Sequence, residues 1–174
     1  MPTRLTAGLV GLLLSYGQAV ASDDSAACVR GMNDLVRMSR CELEDLYRRS
    51  EWSPVPTGFA PGRAIPSPGS SKTVRQSRLI GTVWKGKVIR PDGTMINRGP
   101  FGLEAVRANI FVSESWLDGR PTLVMDYCGM SRLFPDVRDE LREVAPGLYL
   151  GLTYRRDCPG PRLTTFFALD TRCP

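Results

Sequence analysis

The sequence of 174 residues contains no histidine. This absence excludes Ser-His and Cys-His catalytic pairs, and it excludes zinc and haem sites that use imidazole ligands. Any acid–base chemistry would depend on Asp, Glu, Tyr, Lys or Cys. Lysine is scarce too, occurring only as Lys72, Lys85 and Lys87, and the cysteine spacings match no metal-binding pattern. The sequence therefore predicts neither a metal nor an organic cofactor.

The formal net charge is +5, and the arginines that supply most of the positive charge are spread along the chain. Proteins that bind nucleic acids usually concentrate basic side chains on one face or one helix. The even distribution favours ordinary surface arginines, so we expect no nucleic-acid partner. The sequence leaves the oligomeric state open.

Residues 1–21 have the features of a secretory signal peptide. Arg4 precedes the apolar run 7–14, and Ala19-Val20-Ala21 matches a cleavage site. The run is much shorter than the ~20 residues that a membrane span requires. We therefore predict cleavage after Ala21, export to the periplasm or beyond the cell, and no stable membrane insertion of the mature chain. An uncleaved anchor is the alternative.

The mature chain is long enough for one domain with a sizeable core. Helical periodicity predicts a helical segment over residues 22–50, with a break near Ser39, where Ser39 and Glu42 match a capping box. Residues 51–80 are rich in proline and glycine, which predicts a link that contains one short helix, and in which residues 63–65 could form a short edge strand. Residues 81–174 have the alternating pattern of β-strands.

Tight-turn sequences separate the predicted strands and make them antiparallel neighbours. The strand candidates are 82–90, 94–97, 103–115, 122–128, 137–144, 148–155 and 163–169. Because closure removes exposed strand edges, we predict a mainly β protein. Its antiparallel meander would close into a barrel, with one or two N-terminal helices. A flat sheet covered by helices is the alternative.

Alternation along the strand 137–144 assigns its two faces. Asp139 and Glu143 share a face with apolar neighbours, whereas Arg138, Glu140 and Arg142 share the other, which we expect to be solvated. Replacing Asp139 with alanine should then cost about 2–4 kcal/mol, and replacing Glu140 with alanine no more than roughly 0.5 kcal/mol.

The same alternation predicts that Leu148, Leu150, Leu152 and Tyr154 form the core face of the next strand. The candidate ligand-binding residues are Trp84, Lys87, Trp116, Asp126, Tyr127, Asp139, Glu143 and Tyr154. Carboxylates and phenols at a barrel mouth could bind a polar ligand or transfer protons. The alternative is that Asp126 and Asp139 form salt bridges with arginines or accept hydrogen bonds from backbone amides.

A second group is Trp84-Lys85-Gly86-Lys87. As a strand it would place Trp84 and Gly86 on one face and both lysines on the other. A lysine there could bind an anionic ligand, or the tryptophan could close the base of the barrel. Gly86 indicates a bulge or a close approach of two backbones.

Five cysteines remain after the predicted cleavage. Their places along the meander favour a disulfide of Cys173 with Cys28 or Cys41, followed by one between Cys128 and Cys158. A Cys158–Cys173 bridge is disfavoured, because the last strand should separate the two residues.

Several motifs together resemble a family of uncharacterised exported bacterial proteins. They are Glu42-Leu43-x-x-Leu46-Tyr47, Pro56-x-Gly58, Trp84-x-Gly86-Lys87, Ser115-Trp116-x-Asp118-Gly119, Asp126-Tyr127, Arg138-Asp139-Glu140-x-Arg142-Glu143 and Pro146-Gly147-Leu148-Tyr149-Leu150-Gly151. The resemblance covers roughly residues 42–169. The strand-rich pattern is also loosely similar to that of lipocalin-like (calycin) barrels, although Gly81-x-x-Trp84 departs from the lipocalin G-x-W motif. It implies a fold and no activity.

Three functions fit these observations. The first is a binding protein that takes a small hydrophobic or amphipathic molecule into the barrel. The second is a cofactor-independent isomerase or hydrolase that uses Asp, Glu and Tyr. The third is a structural or interaction module of the cell envelope. A cavity with few carboxylates favours the first, two convergent carboxyl groups the second, and a filled barrel the third.

Overall fold

The computed structural model describes residues 29–172. Its helices are α1 (Met32–Arg37), α2 (Arg40–Arg49) and α3 (Thr73–Val83), with a 3-10 turn at Pro100–Gly102. Its strands are β1 (Gly58–Ile65), β2 (Gly86–Ile89), β3 (Thr94–Arg98), β4 (Glu104–Glu114), β5 (Pro121–Asp126), β6 (Val137–Ala145), β7 (Leu148–Arg155) and β8 (Arg162–Asp170). The predicted signal peptide lies outside the described residues.

The eight strands form a closed barrel in which each strand is antiparallel to the next and β1 pairs with β8. The predicted mainly β fold, with a closing antiparallel meander and N-terminal helices, is confirmed. Within the described residues, no helix is long and apolar enough to cross a bilayer.

The break between α1 and α2 lies where the sequence predicts it. The Ser39 hydroxyl accepts a hydrogen bond from the Glu42 amide at 3.3 Å, and the Glu42 carboxylate accepts one from the Ser39 amide at 2.7 Å. This reciprocal pair satisfies two amides that the first turn of α2 would otherwise leave unpaired.

Strand β1 closes the barrel, although it lies in the segment predicted to be a link. Residues 58–61 pair with β2, and residues 62–65 pair with β8. The predicted strand 82–90 is shorter than expected, because α3 extends to Val83 and β2 begins at Gly86. A Cβ atom on Gly86 would lie 2.1 Å from the Ala60 carbonyl oxygen, so β1 and β2 approach as closely as the glycine suggested.

Apolar side chains form two cores on opposite sides of the barrel wall. One fills part of the barrel interior and includes Met125, Leu141 and Phe167. The other lies between the wall and the N-terminal helices and includes Leu43 and Leu150. Strands β6 and β7 are therefore buried on both faces.

This second core corrects the predicted direction of one strand face. Leu148, Leu150, Leu152 and Tyr154 are buried, but they pack against the helices and not in the barrel interior. Tyr149 and Thr153, from the other face, point inward. Alternation separates the two faces of a strand, but it does not say which face is interior when both are covered.

The predicted solvated face of β6 is also wrong. Arg138, Glu140 and Arg142 are buried, and Glu140 and Arg142 have no exposed surface. Glu140 accepts hydrogen bonds from the Ser115 hydroxyl at 2.6 Å and the Trp116 amide at 2.9 Å. Its carboxylate lies 3.1 Å from the Arg138 guanidinium. The 115–120 turn and α2 cover these charged side chains. Their burial is tolerated because the charges pair with each other.

Replacement of Glu140 with alanine is therefore expected to lower the free energy of unfolding by about 2–4 kcal/mol, because it leaves buried donors without an acceptor. Urea melts measure this, with the exposed Glu104→Ala as the matched control. A loss of no more than roughly 0.5 kcal/mol for Glu140→Ala would contradict the buried network.

The pH dependence of this site has a definite sign. Burial raises the pKa of Glu140, although Ser115, the Trp116 amide and Arg138 favour the charged form. Ionisation of Glu140 therefore costs stability as the pH rises from the unfolded value near ~4.3 through the raised folded pKa. Over that window Glu140→Gln should gain stability relative to the wild type, and above it the difference should be constant.

The structure tests part of the cysteine pairing. Cys41, Cys128 and Cys158 are exposed and unbonded, so the predicted Cys128–Cys158 disulfide is absent. Cys28 and Cys173 lie outside the described residues. Their described neighbours meet, since the Arg172 guanidinium donates a hydrogen bond to the Arg30 carbonyl oxygen at 3.0 Å.

Cys41, the other predicted partner of Cys173, is unbonded, and the pairing of Cys28 with Cys173 stays a prediction. Oxidised protein should give a single cross-linked peptide containing both residues in non-reducing mass spectrometry. Removing such a bridge typically costs about 2–5 kcal/mol, so Cys28→Ser should lower the urea midpoint whereas Cys128→Ser should not. Recovery of Cys173 bound to Cys158 would contradict the pairing.

Candidate functional site: a cavity in the barrel

A cavity of about 610 Å³ lies at one end of the barrel and opens to the surface. Its wall consists of residues at the ends of β1, β3 and β7 and the starts of β2, β4, β6 and β8, together with Tyr127, which follows β5. Three connections surround the mouth with helical or apolar residues: α3, the 99–103 turn and the 127–136 loop. The cavity lies within the range of sites that hold a drug-sized ligand.

A buried polar cluster lies at the base of this cavity. The Lys87 ammonium donates hydrogen bonds to the Tyr127 hydroxyl at 2.7 Å, to Asp139 at 2.8 Å and to Asn97 at 3.1 Å. The Tyr127 hydroxyl in turn donates to Asp139 at 2.9 Å. Thr153 donates to the other oxygen of Asp139 at 2.6 Å. The lysine thus uses its three protons within the cluster, and its charge is balanced by one carboxylate.

Aromatic rings surround the Lys87 ammonium. It lies 5.0 Å from the ring centroid of Phe167, 5.4 Å from that of Tyr127 and 5.8 Å from that of Trp84. The ring faces carry partial negative charge, so they compensate part of the hydration that the cation loses on burial. The indole of Trp84 donates to Asn97 at 2.9 Å, which fixes this ring beside the cluster.

Two glycines make room for these rings. A Cβ atom on Gly62 would lie 2.5 Å from the Trp84 ring, and one on Gly151 would lie 2.2 Å from the Phe167 ring. These separations are far below van der Waals contact, so a side chain at either glycine would displace the aromatic ring. The shape of the cavity base therefore depends on both glycines.

Burial raises the pKa of the Tyr127 phenol well above its usual value, and the neighbouring charge of Asp139 adds to this effect. The phenol is therefore protonated at neutral pH and serves as a hydrogen-bond donor to Asp139. Asp139 is the only carboxylate in the described lining, which also contains Lys87, Arg98 and Arg155. The cavity wall thus has more positive than negative side chains.

Four of the eight predicted site residues meet in this cavity: Trp84, Lys87, Tyr127 and Asp139. The predicted opposite faces for Trp84 and Lys87 are wrong. Trp84 caps the C-terminus of α3 and Lys87 lies in β2, so the alternation within a single strand does not relate these two side chains. Asp139 is buried as expected, and its partner is a lysine, not an arginine.

The other four residues lie elsewhere. Trp116 and Tyr154 pack edge to face outside the barrel, with their ring centroids 5.4 Å apart. Asp126 lies on the outer face, pairs with Arg156 at 2.8 Å and accepts a hydrogen bond from a backbone amide. Glu143 lies at the opposite end of β6 and accepts a hydrogen bond from the Gly147 amide at 2.7 Å. For Asp126 the structure therefore shows the predicted alternative, a salt bridge with an arginine and a hydrogen bond from a backbone amide.

Sequence reasoning missed Asn97, Thr153 and Phe167. A signal existed for Asn97, because it shares a strand face with the buried Met95 and is thus a polar residue on an apolar face. Phe167 gave no such signal, since both faces of β8 carry apolar side chains. Thr153 was assigned outward because the interior face of β7 was misidentified.

Comparisons with known proteins support the fold and name no activity. No family model matches the sequence, and no curated protein matches it. The chain is similar in fold to a crystal structure of a protein from Thermomonospora curvata, with a TM-score of 0.52 and 18% identity over 79% of this chain and 90% of that one. Membership of an uncharacterised family therefore stays a prediction.

Proposed function

We infer that this protein binds a small amphipathic molecule, with the apolar body inside the barrel and an anionic or strongly polar head near the arginines. The observation that carries this inference is the cavity of about 610 Å³ lined mainly by apolar and aromatic side chains. Arg98 and Arg155 lie in its wall. Asp139 is paired with Lys87, and Arg155 with Asp136 at 2.7 Å, which leaves Arg98 as the lining arginine without an ion pair among the described residues. A ligand carboxylate, sulfonate or phosphate would thus find donors without facing an unpaired negative charge.

The two alternatives have less support. Acid–base catalysis by two carboxyl groups requires a second carboxylate near Asp139, and the described lining provides none. A purely structural barrel would fill its interior with side chains, as small barrels commonly do. An open interior of this size favours a protein that holds a ligand.

Fluorescence quenching tests the proposal directly. Trp84 lines the cavity, whereas Trp116 packs outside the barrel. We expect bromododecanoate to quench the Trp84 emission and to bind at least about tenfold more tightly than bromododecyltrimethylammonium, which has the same chain and the opposite charge. Quenching should be lost in Trp84→Phe and retained in Trp116→Phe.

A blocked cavity provides the matched control. Ala64 lines the cavity, and Asn109 is exposed on the outer face of β4, opposite Asp126. Ala64→Trp should abolish binding of bromododecanoate, whereas Asn109→Trp should leave it unchanged. Equal binding by both variants, or no binding by the wild type across a set of anionic amphiphiles, would contradict the proposed function.

We also propose that the protein is exported, on the basis of the sequence of residues 1–21. Expression of the full chain in a bacterial host should yield a periplasmic or secreted product that begins at Ser22. Intact-mass measurement decides this, and Ala21→Arg should block the cleavage. A mature protein that retains Met1 would contradict export by this route.

A further inference from the structure

Large apolar side chains are exposed mainly at the cavity mouth. Among the described residues, six of the nine that are exposed belong to the connections around it. They are Leu79 and Val83 on α3, Phe101 and Leu103 on the 99–103 turn, and Leu133 and Phe134 on the 127–136 loop. We call these six side chains the apolar rim. Scattered exposed apolar residues are ordinary, but such a concentration around one opening marks an interaction site.

The backbone holds one member of the rim in water. Phe101 has a positive φ of 56°, a conformation that an aromatic residue rarely adopts, and its side chain is fully exposed. Burial of leucine or aromatic side chains away from water lowers the free energy of the protein. The turn therefore presents an aromatic ring where it gains nothing from the folded chain itself.

Positive charge accompanies the apolar rim. Arg75, Leu79 and Val83 follow each other at four-residue intervals on α3, so they form one stripe of the helix. Residues 52–91 contain seven Lys or Arg and no Asp or Glu; of the seven, Lys87 is buried with Asp139 and Arg90 pairs with Glu104. Arg75 and Arg132 are exposed, and neither forms a salt bridge within the described part of the chain.

The carboxylates near the mouth are already neutralised. Asp126, Asp136 and Asp157 pair with Arg156, Arg155 and Arg162 at 2.8, 2.7 and 2.6 Å. The mouth thus combines apolar side chains with an excess of unpaired positive charge. This combination complements the surface of an anionic bilayer, where apolar groups enter the interface and basic groups meet lipid phosphates.

We propose that the apolar rim docks this protein on an anionic lipid surface, with the barrel mouth facing the bilayer. In this orientation an amphipathic molecule would pass between the lipid and the cavity without crossing water. The contact is peripheral and requires no membrane-spanning element. Arg75 and Arg132 attract the protein to the surface, and the rim side chains at Leu79, Phe101 and Leu133 enter the interface.

Vesicle sedimentation tests this docking. Equimolar phosphatidylglycerol and phosphatidylcholine vesicles should bind the protein at least about tenfold more strongly than pure phosphatidylcholine vesicles, and added salt should weaken the binding. The triple variant Leu79→Ser, Phe101→Ser, Leu133→Ser should lose about tenfold or more of this affinity. Phe111→Ser is the matched control, because Phe111 is exposed on the outer wall of β4.

The outcomes distinguish this proposal from ligand binding. Leu79, Phe101 and Leu133 do not line the cavity, so the triple variant should still bind bromododecanoate. Equal binding of the wild type and the triple variant to anionic vesicles would overturn the docking. So would a wild-type dimer, detected by sedimentation velocity, that the triple variant abolishes, because the rim would then be a protein interface.

Discussion

Replacement of Arg142 with alanine is expected to lower the free energy of unfolding by about 3–5 kcal/mol. Arg142 is fully buried and holds both oxygens of Asp118, at 2.7 and 2.8 Å. It also donates to the Tyr47 carbonyl oxygen at 3.0 Å and stacks 4.4 Å from the Tyr47 ring centroid. One side chain thus connects β6, the 115–120 turn and α2, and its loss leaves the Asp118 carboxylate without its counter-ion and the Tyr47 carbonyl oxygen without one of its donors.

Urea denaturation measures this effect, and Arg48→Ala on the exposed face of α2 is the control. Arg48 forms only exposed ion pairs, so its removal should cost no more than about 0.5 kcal/mol. Arg142→Lys should recover only part of the loss, because an ammonium cannot form the two parallel bonds to Asp118. Equal costs for Arg142→Ala and Arg48→Ala would contradict the buried network.

The contribution of Arg142 should also depend on pH. Burial opposes ionisation of Asp118, but hydrogen bonds from Arg142 and the Arg120 amide outweigh it and hold the pKa of Asp118 below its ordinary value. A lowered carboxyl pKa stabilises the folded state above the unfolded value near ~3.9, and this stabilisation is lost as the pH falls through the folded pKa. The difference between wild type and Arg142→Ala should therefore shrink below about pH 4.

Replacement of Asp139 with alanine is expected to cost about 3–5 kcal/mol, which overlaps the upper half of the range that the sequence predicted and extends above it. The reason is that the Lys87 ammonium, which is 2% exposed, would lose its only counter-ion in the cavity base. The Tyr127 and Thr153 hydroxyls would lose their acceptor at the same time. Thermal and urea melts of the variant measure the loss.

A double-mutant cycle separates the charge from the packing. Lys87→Met combined with Asp139→Ala should be more stable than Asp139→Ala alone, because the double variant no longer buries an unpaired cation. Asp126→Ala is the matched control, since its carboxylate is on the outer face and pairs with Arg156. If Asp126→Ala costs as much as Asp139→Ala, the cavity base does not depend on the Lys87–Asp139 pair.

Much of the fold was predictable, because local chemistry and strand alternation repeat along the chain. The capping box at Ser39 marked the start of α2, and short turns made neighbouring strands antiparallel. Only residues 63–65 of the closing strand β1 were predicted as a short edge strand, because the prolines and glycines of the segment resemble those of a loop. Those residues are tolerated since each half of the strand pairs with a different partner.

The candidate site was predictable only in part. Asp139 and Tyr127 were identified because a polar side chain on an apolar strand face must have a buried partner. Their partner Lys87 was assigned to a separate group, because nothing in the order of residues indicates that β2 lies opposite β6 across the barrel. The separation of Trp116 and Tyr154 from this cluster depended on the helices that cover the outer wall.

The sequence by itself determined the antiparallel β meander, the helical start and the separation of the two faces of β6 and β7, because these follow from turn chemistry and side-chain period. The tertiary structure decided which face is interior. Packing of α1 and α2 on the barrel turned the outer face of β6 and β7 into a second core and buried Glu140 and Arg142. Burial depends on what covers a surface, and only the folded chain brings that cover into place.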